Sequence, residues 1–142
     1  MRVLVINGPN LNLLGEREPE IYGHDTIQDC IDAVKKELPG IEVSDFQSNS
    51  ENEIIDCIQQ ARGNTQALII NAGAFTHYSY AIRDALSMFD GIKIEVHLSN
   101  PHSREEFRHT SVISGVVTGV VAGFKKDSYT LAGVAVSKLL SK

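Results

Sequence analysis

Short apolar runs alternate with longer runs of helical spacing from one end of the chain to the other. The runs Val3–Ile6, Ile41–Phe46, Ala67–Asn71, Ile92–His97 and Val116–Val121 are rich in Val and Ile and bounded by turn residues, which predicts strands. Between them, Ile27–Leu38, Glu51–Ala61, Tyr78–Met88 and Ser128–Leu140 predict helices. In the first, Ile27, Cys30, Ile31, Val34 and Leu38 recur at three- and four-residue steps and share one face; Ile54, Ile55, Ile58 and Ala61 do the same in the second. Thr26 and Ser50 can cap these two helices, Pro39-Gly40 stops the first, and Thr76 can cap the third.

Strands and helices in alternation imply a parallel sheet covered on both faces, and the continuously apolar strands agree with that. The predicted fold is α/β: a flavodoxin-like three-layer sandwich, its five-stranded parallel sheet in the order 2-1-3-4-5. No repeat, linker or low-complexity segment interrupts residues 1–142, so one domain is expected. The apolar run 112–124 is broken by glycines and hydroxyl residues and is too short to cross a bilayer. The net charge of −5, from 13 basic and 18 acidic residues, argues against a nucleic-acid or anionic-membrane surface. An anionic small substrate stays open, because a local Arg and His cluster can override the global field. Cys30 and Cys57 sit at apolar helix positions without metal spacing, so both read as small core residues suited to a reducing cytoplasm.

In such a sheet, ligands bind beyond the carboxyl ends of the strands, so the chemistry is sought there. After the first strand comes Asn7-Gly8-Pro9-Asn10-Leu11-Asn12-Leu13-Leu14-Gly15. It matches neither a dinucleotide loop nor a P-loop. Its Asn side chains either satisfy the turn's own backbone or hold a water or developing oxyanion. The charged segment 15–23 contains Arg17 and Tyr22 and reads as a solvated loop or as an active-site lid. A tyrosine acts as a general base only as the phenolate, and a phenol ionises near pH 10. Reaching neutrality takes about 4 kcal/mol, for which a nearby guanidinium is the usual source. The third strand ends at Asn71, and His77 and Asp84 beyond it share a helix face as a possible salt-linked pair. On the fourth strand Glu95 and His97 point to the same side, where a covered sheet demands polar partners. A Glu that orients a His is the usual acid–base arrangement. Arg104 or Arg108, just beyond, could grip a carboxylate.

These segments resemble the type II 3-dehydroquinate dehydratases. The resemblance runs through Ile6-Asn7-Gly8-Pro9-Asn10-Leu11-Asn12-Leu13-Leu14-Gly15, Arg17-Glu18-Pro19, Tyr22-Gly23, Gln47-Ser48-Asn49, Asn71-Ala72-Gly73-Ala74-Phe75-Thr76-His77, Ala81-Ile82-Arg83-Asp84-Ala85-Leu86, Glu95-Val96-His97-Leu98-Ser99-Asn100 and Arg104-Glu105-Glu106-Phe107-Arg108-His109. It covers nearly the whole chain. It implies a hydro-lyase of the shikimate pathway that converts 3-dehydroquinate to 3-dehydroshikimate by anti elimination through an enolate, without metal, cofactor or Schiff base. Tyr22 would take the C2 proton as phenolate, with Arg17 favouring that form and stabilising charge. Asn12, through a water, would stabilise the enolate oxygen. His97, oriented by Glu95 and supported by Asn10, would protonate the leaving C1 hydroxyl. Asn71, His77, Arg108 and the Leu98–Ser99 backbone would bind the substrate. Asp84 would reach a neighbouring subunit's site within a trimer, four trimers forming a dodecamer, in the cytoplasm. The chain departs from the family pattern at Asn52, at Pro101 and Tyr78 near the substrate, and in the turn Lys125-Lys126-Asp127, which lacks an expected Gly.

Two other roles fit the fold less well. A receiver module needs acidic residues after the first strand and an Asp ending the third, where this chain has Asn7 and Asn71. A phosphate-eliminating lyase needs a phosphate nest, and no segment supplies one.

Overall fold

The computed structural model of the chain describes residues 1–16 and 18–142. Five parallel strands, β1 (Arg2–Asn7), β2 (Glu42–Gln47), β3 (Ala67–Asn71), β4 (Ile92–His97) and β5 (Gly119–Ala122), form one sheet in the order β2-β1-β3-β4-β5. Among the described residues the helices are α1 (Pro19–Tyr22), α2 (Ile27–Glu37), α3 (Glu51–Ala61), α4 (Tyr80–Ser87) and α5 (Lys126–Leu140). This is the predicted architecture and strand order.

Alternation along the strands feeds two cores. Val3 and Val5 of β1, Ala67 and Ile69 of β3, and Ile94 and Val96 of β4 face α2 and α5, against Cys30, Val34, Tyr129 and Val136. Leu4, Ile6, Leu68 and Ile70 face the other way, against Ile54 and Ile58 of α3 and Ile82 and Leu86 of α4. Each fully buried Ile, Leu or Val side chain contributes about 1.5–3 kcal/mol. On β4 the second face turns polar, because Lys93, Glu95 and His97 alternate with Ile94 and Val96. Lys93 Nζ donates to the carbonyls of Leu86 (2.9 Å) and Phe89 (2.8 Å). Cys30 lies in the core with burial pushing its thiol up to about 12, and Cys57 is half-buried against the second core.

The caps of α2 and α3 are the expected ones. Thr26 Oγ1 accepts from Asp29 N (3.2 Å) while the Asp29 carboxylate accepts from Thr26 N (2.9 Å), a reciprocal box. Ser50 Oγ accepts from Glu53 N (3.3 Å). Other boundaries need correction. The chain forms a 3-10 turn over Gly73–His77, and α4 starts only at Tyr80 with Ser79 as its cap (Oγ to Ile82 N, 3.0 Å), so Thr76 does not cap it. The strand expected over Val116–Val121 is shorter and later; Ser114–Val116 forms a 3-10 turn, and Val116 and Val117 pack against the second core. Residues Pro19–Tyr22, expected as irregular, make one helical turn with Pro19 in its first position. No helix of the described residues is long and apolar enough to cross a membrane.

The helix expected from Ser128 begins at Lys126, because Lys125 turns the chain sharply with φ 53° and ψ −134°. A bond from Lys125 N to Leu98 O (2.8 Å) imposes this conformation, which L side chains rarely adopt. The absent Gly of the sequence is thus felt as strain. Lys125→Gly is expected to raise stability by about 1 kcal/mol, the relief of strain less the entropy that glycine loses on folding. Urea denaturation checks this, and a lower midpoint would overturn it.

Candidate active site

The strand order places the carboxyl ends of β1 and β3 side by side, and the chain leaves them in opposite directions. That opens a crevice above their tips. The loops beyond the tips press together. Gly8 N donates to Asn71 O (2.7 Å), and a Cβ on Gly8 would stand 2.5 Å from the Ala72 carbonyl oxygen, so no larger residue fits. Gln47 and Asn49 brace the Asn-rich turn from β2. Gln47 Nε2 donates to Gly8 O (3.2 Å), and Asn49 Oδ1 accepts from Asn10 N (3.0 Å), holding Asn10 in the left-handed region at φ 70°. Beneath the turn, the buried Tyr129 hydroxyl donates to Asn7 Oδ1 (2.5 Å) and accepts from Asn71 Nδ2 (3.0 Å). Asn71 Oδ1 accepts from Gly73 N (3.1 Å). Burial pushes the Tyr129 phenol far up, so it stays a neutral donor.

A cleft of about 140 Å³ opens above, lined by Asn10, Tyr22, Asn71, His77, His97, Leu98, Arg104 and Arg108, with Pro9, Leu11, Gly73, Ala74 and Pro101. Tyr22 ends α1. Arg104 Nη2 donates to its Oη (2.8 Å), and the guanidinium carbon lies 5.0 Å from the ring centre. Arg104 Nη1 also donates to Ser99 Oγ (3.1 Å). Positive charge thus stands against the Tyr22 hydroxyl. At the other side Arg108 donates through Nε to Glu105 Oε1 (3.2 Å) and rests over Phe107. His77 Nδ1 lies 2.9 Å from Thr110 O, a carbonyl that can only accept, so Nδ1 carries the hydrogen. Burial, with Arg108 and His97 nearby, holds the His77 imidazole below its ordinary value and outweighs the Thr110 bond. His77 therefore stands neutral at pH 7.

His97 Nε2 lies 2.5 Å from Glu95 Oε2, which leaves Nδ1 as the ring nitrogen not engaged by the carboxylate. Glu95 has no solvent exposure. Burial alone would raise its pKa, but the bonds from His97, Ser114 and Ser111 outweigh that and hold it below the ordinary carboxylate value. The polar partners that the sequence demanded for this face are hydroxyls: Ser114 Oγ on Oε1 (2.5 Å), and Ser111 Oγ (2.9 Å) and Thr76 Oγ1 (3.1 Å) on Oε2.

Tyr22, His97, Asn10, Asn71, His77, Leu98 and Arg108 therefore meet in one cleft, with Glu95 behind His97. Asn12 is exposed in the 3-10 turn Leu11–Leu13, outside the lining. Ser99 also lies outside it and holds Arg104. Asp84 is exposed on α4 and does not pair with His77, because the break at Tyr78–Ser79 puts them on separate elements. Arg17 lies outside the described residues. Pro101 lines the cleft, whereas Tyr78 is 58% exposed and does not. The sequence offered Arg104 only as a grip for a carboxylate, and it offered no hint of Ser111 or Ser114. Among the described residues no three His, Cys, Asp or Glu side chains converge as a metal site.

The family model of class II dehydroquinases matches residues 1–137. A 3-dehydroquinate dehydratase of Prochlorococcus marinus is 53% identical over 134 residues, 93% of this chain and 90% of its own. That of Lachnoclostridium phytofermentans is 54% identical over 135 residues, 93% of each chain. Among solved structures, the type II dehydroquinase of Butyrivibrio crossotus superposes with a TM-score of 0.91 at 47% identity, covering 97% of each chain.

Two outcomes follow from the buried polar groups. Tyr129→Phe leaves Asn7 Oδ1 and Asn71 Nδ2 without their partner and should lower stability by about 1–3 kcal/mol in urea denaturation. An unchanged midpoint would contradict the link. Glu95, with its folded pKa depressed, contributes stability that is present above about pH 4.5 and lost as pH falls through the folded value. Urea midpoints between pH 3 and 7 should fall less steeply for Glu95→Gln than for the native chain. Parallel curves would count against the assignment.

Proposed function

Because the chain belongs to the class II dehydroquinase family, we propose that it dehydrates 3-dehydroquinate to 3-dehydroshikimate by anti elimination through an enolate. The observation that carries this reading is the convergence of Tyr22, a Glu95-backed His97 and Arg108 on one cleft. Elimination from a β-hydroxy ketone needs one base, one acid and one group that stabilises the enolate. Tyr22, as phenolate beside the Arg104 guanidinium, takes the C2 proton, and the electron pair passes to the ketone oxygen; Arg17 has the role of favouring the phenolate and stabilising charge. A water held by Asn12 stabilises that oxygen. The enolate collapses and expels the C1 hydroxyl, which leaves as water with the proton from His97. Glu95 orients His97, and Asn10 supports that side of the cleft. Asn71, His77, Arg108 and the Leu98–Ser99 backbone bind the anionic substrate, which accounts for a positive cleft in a net-acidic chain. No cofactor or Schiff base takes part; Lys93, within β4, is committed to two carbonyls and does not line the cleft.

The working enzyme is a trimer in which the exposed Asp84 of one subunit reaches its neighbour's cleft, four trimers form a dodecamer, and the assembly works in the cytoplasm. Sedimentation tests the assembly.

With 3-dehydroquinate, the purified protein should produce the ultraviolet absorption of the conjugated product; no signal at any pH overturns the reading. Tyr22→Phe and His97→Ala should each lower kcat by about 10²–10⁴ while folding is kept. Near-normal turnover in either variant removes that residue from its role. Borohydride added with substrate should leave activity intact, and inactivation would expose a Schiff base.

A further inference from the structure

Beside His97 lies a second cavity of about 370 Å³, which Thr76, Ser111 and Ser114 line together with Glu95 and His97. We propose that Thr76, Ser111 and Ser114 are positioning residues of the elimination, which hold Glu95 as a carboxylate and so keep His97 an imidazolium, its Nε2 hydrogen on Glu95 and its Nδ1 hydrogen for the departing hydroxyl. This deepens the reading of His97 as the acid and rests on it.

The hydrogens can be counted. Ser111 Oγ already accepts from Ile113 N (3.3 Å) and Ser114 N (3.2 Å), so its own hydrogen goes to Glu95 Oε2. Thr76 Oγ1 lies 2.9 Å from Ser111 Oγ and 3.1 Å from Oε2. The Ser111 oxygen has no lone pair left for it, so the Thr76 hydrogen also goes to Oε2. Ser114 donates to Oε1. With His97 Nε2, the carboxylate meets four donors, and a neutral carboxyl would aim its own hydrogen at donors. Each hydroxyl spreads the negative charge of Glu95 and makes it a weaker base. The proton shared across the Glu95–His97 contact therefore stays on the imidazole. The three hydroxyls come from the turn after β3 and from the segment joining β4 to β5, and Thr76 has no solvent exposure. Other charged or titratable groups that line the same cavity are His77, His102, Arg108 and His109.

The test compares Ser114→Ala, Thr76→Val and Ser114→Thr with the native chain. Two readouts are used: the low-field proton resonance of the Glu95–His97 bond without substrate, and kcat, KM and the alkaline limb of the kcat profile with 3-dehydroquinate. In Ser114→Ala and Thr76→Val the resonance should shift, kcat should fall about tenfold with KM nearly unchanged, and the alkaline limb should move to higher pH. Ser114→Thr, which keeps the hydroxyl, should restore most of both. An unmoved resonance and profile in the two deletions overturns the proposal. So does a rise in KM alone, or a Ser114→Thr chain that behaves like Ser114→Ala. If Ser114→Ala fails to fold, Thr76→Val carries the same comparison; if both fail, the hydroxyls serve folding and the proposal falls. A native chain that lacks turnover would sink the dehydratase reading, while the resonance would still decide the hydroxyls' effect on Glu95.

Discussion

Taking a carboxylate out of water costs several kcal/mol even after relaxation, more than a single imidazole contact returns. Glu95 can occupy the tip of β4 without solvent exposure only because hydroxyls from two distant segments reach it. Much of the catalytic end follows from that requirement. It draws the turn after β3 towards the chain that leads into β5, an arrangement that a bond from Val112 N to Thr76 O (2.8 Å) reinforces. It orients the edge of His97 that faces the cleft. It also leaves the second face of β4 polar, whereas the corresponding faces of β1 and β3 are apolar.

The rest of the crevice depends on close approach. The turn after β1 and the turn after β3 meet backbone to backbone, where Gly8 leaves room for the Ala72 carbonyl. Gln47 and Asn49 brace one side, and the Tyr129 hydroxyl pins both strand tips from below. None of these side chains lines the cleft. Their effect is to fix the backbone from which Asn10 and Asn71 project.

The sheet was legible in the sequence because apolar periodicity is local. Ala67–Asn71, Ile92–His97 and Glu51–Ala61 stand where the pattern placed them. What the pattern misjudged was decided by remote partners. Thr76 has the position of a cap, but its hydroxyl serves a carboxylate 19 residues later, and Ser79 takes the cap instead. Val116 and Val117 look like strand residues, yet they cover the second core. Arg104 was read as a partner for a carboxylate, whereas it stacks on a tyrosine 82 residues away. The pairing of Tyr22 and His97 was visible only through the long motifs shared with a family, since spacing alone left each an ordinary loop or strand residue.

The bond from Tyr129 to Asn7 joins residues 122 positions apart. During synthesis β1 emerges before α5, so its terminal asparagine finds its partner only when α5, which carries Tyr129, docks on the sheet. The crevice is therefore completed by a segment that is synthesised long after β1. Until that moment two buried amides are short of a partner, and a nascent chain cannot hold a finished active site over an unfinished core.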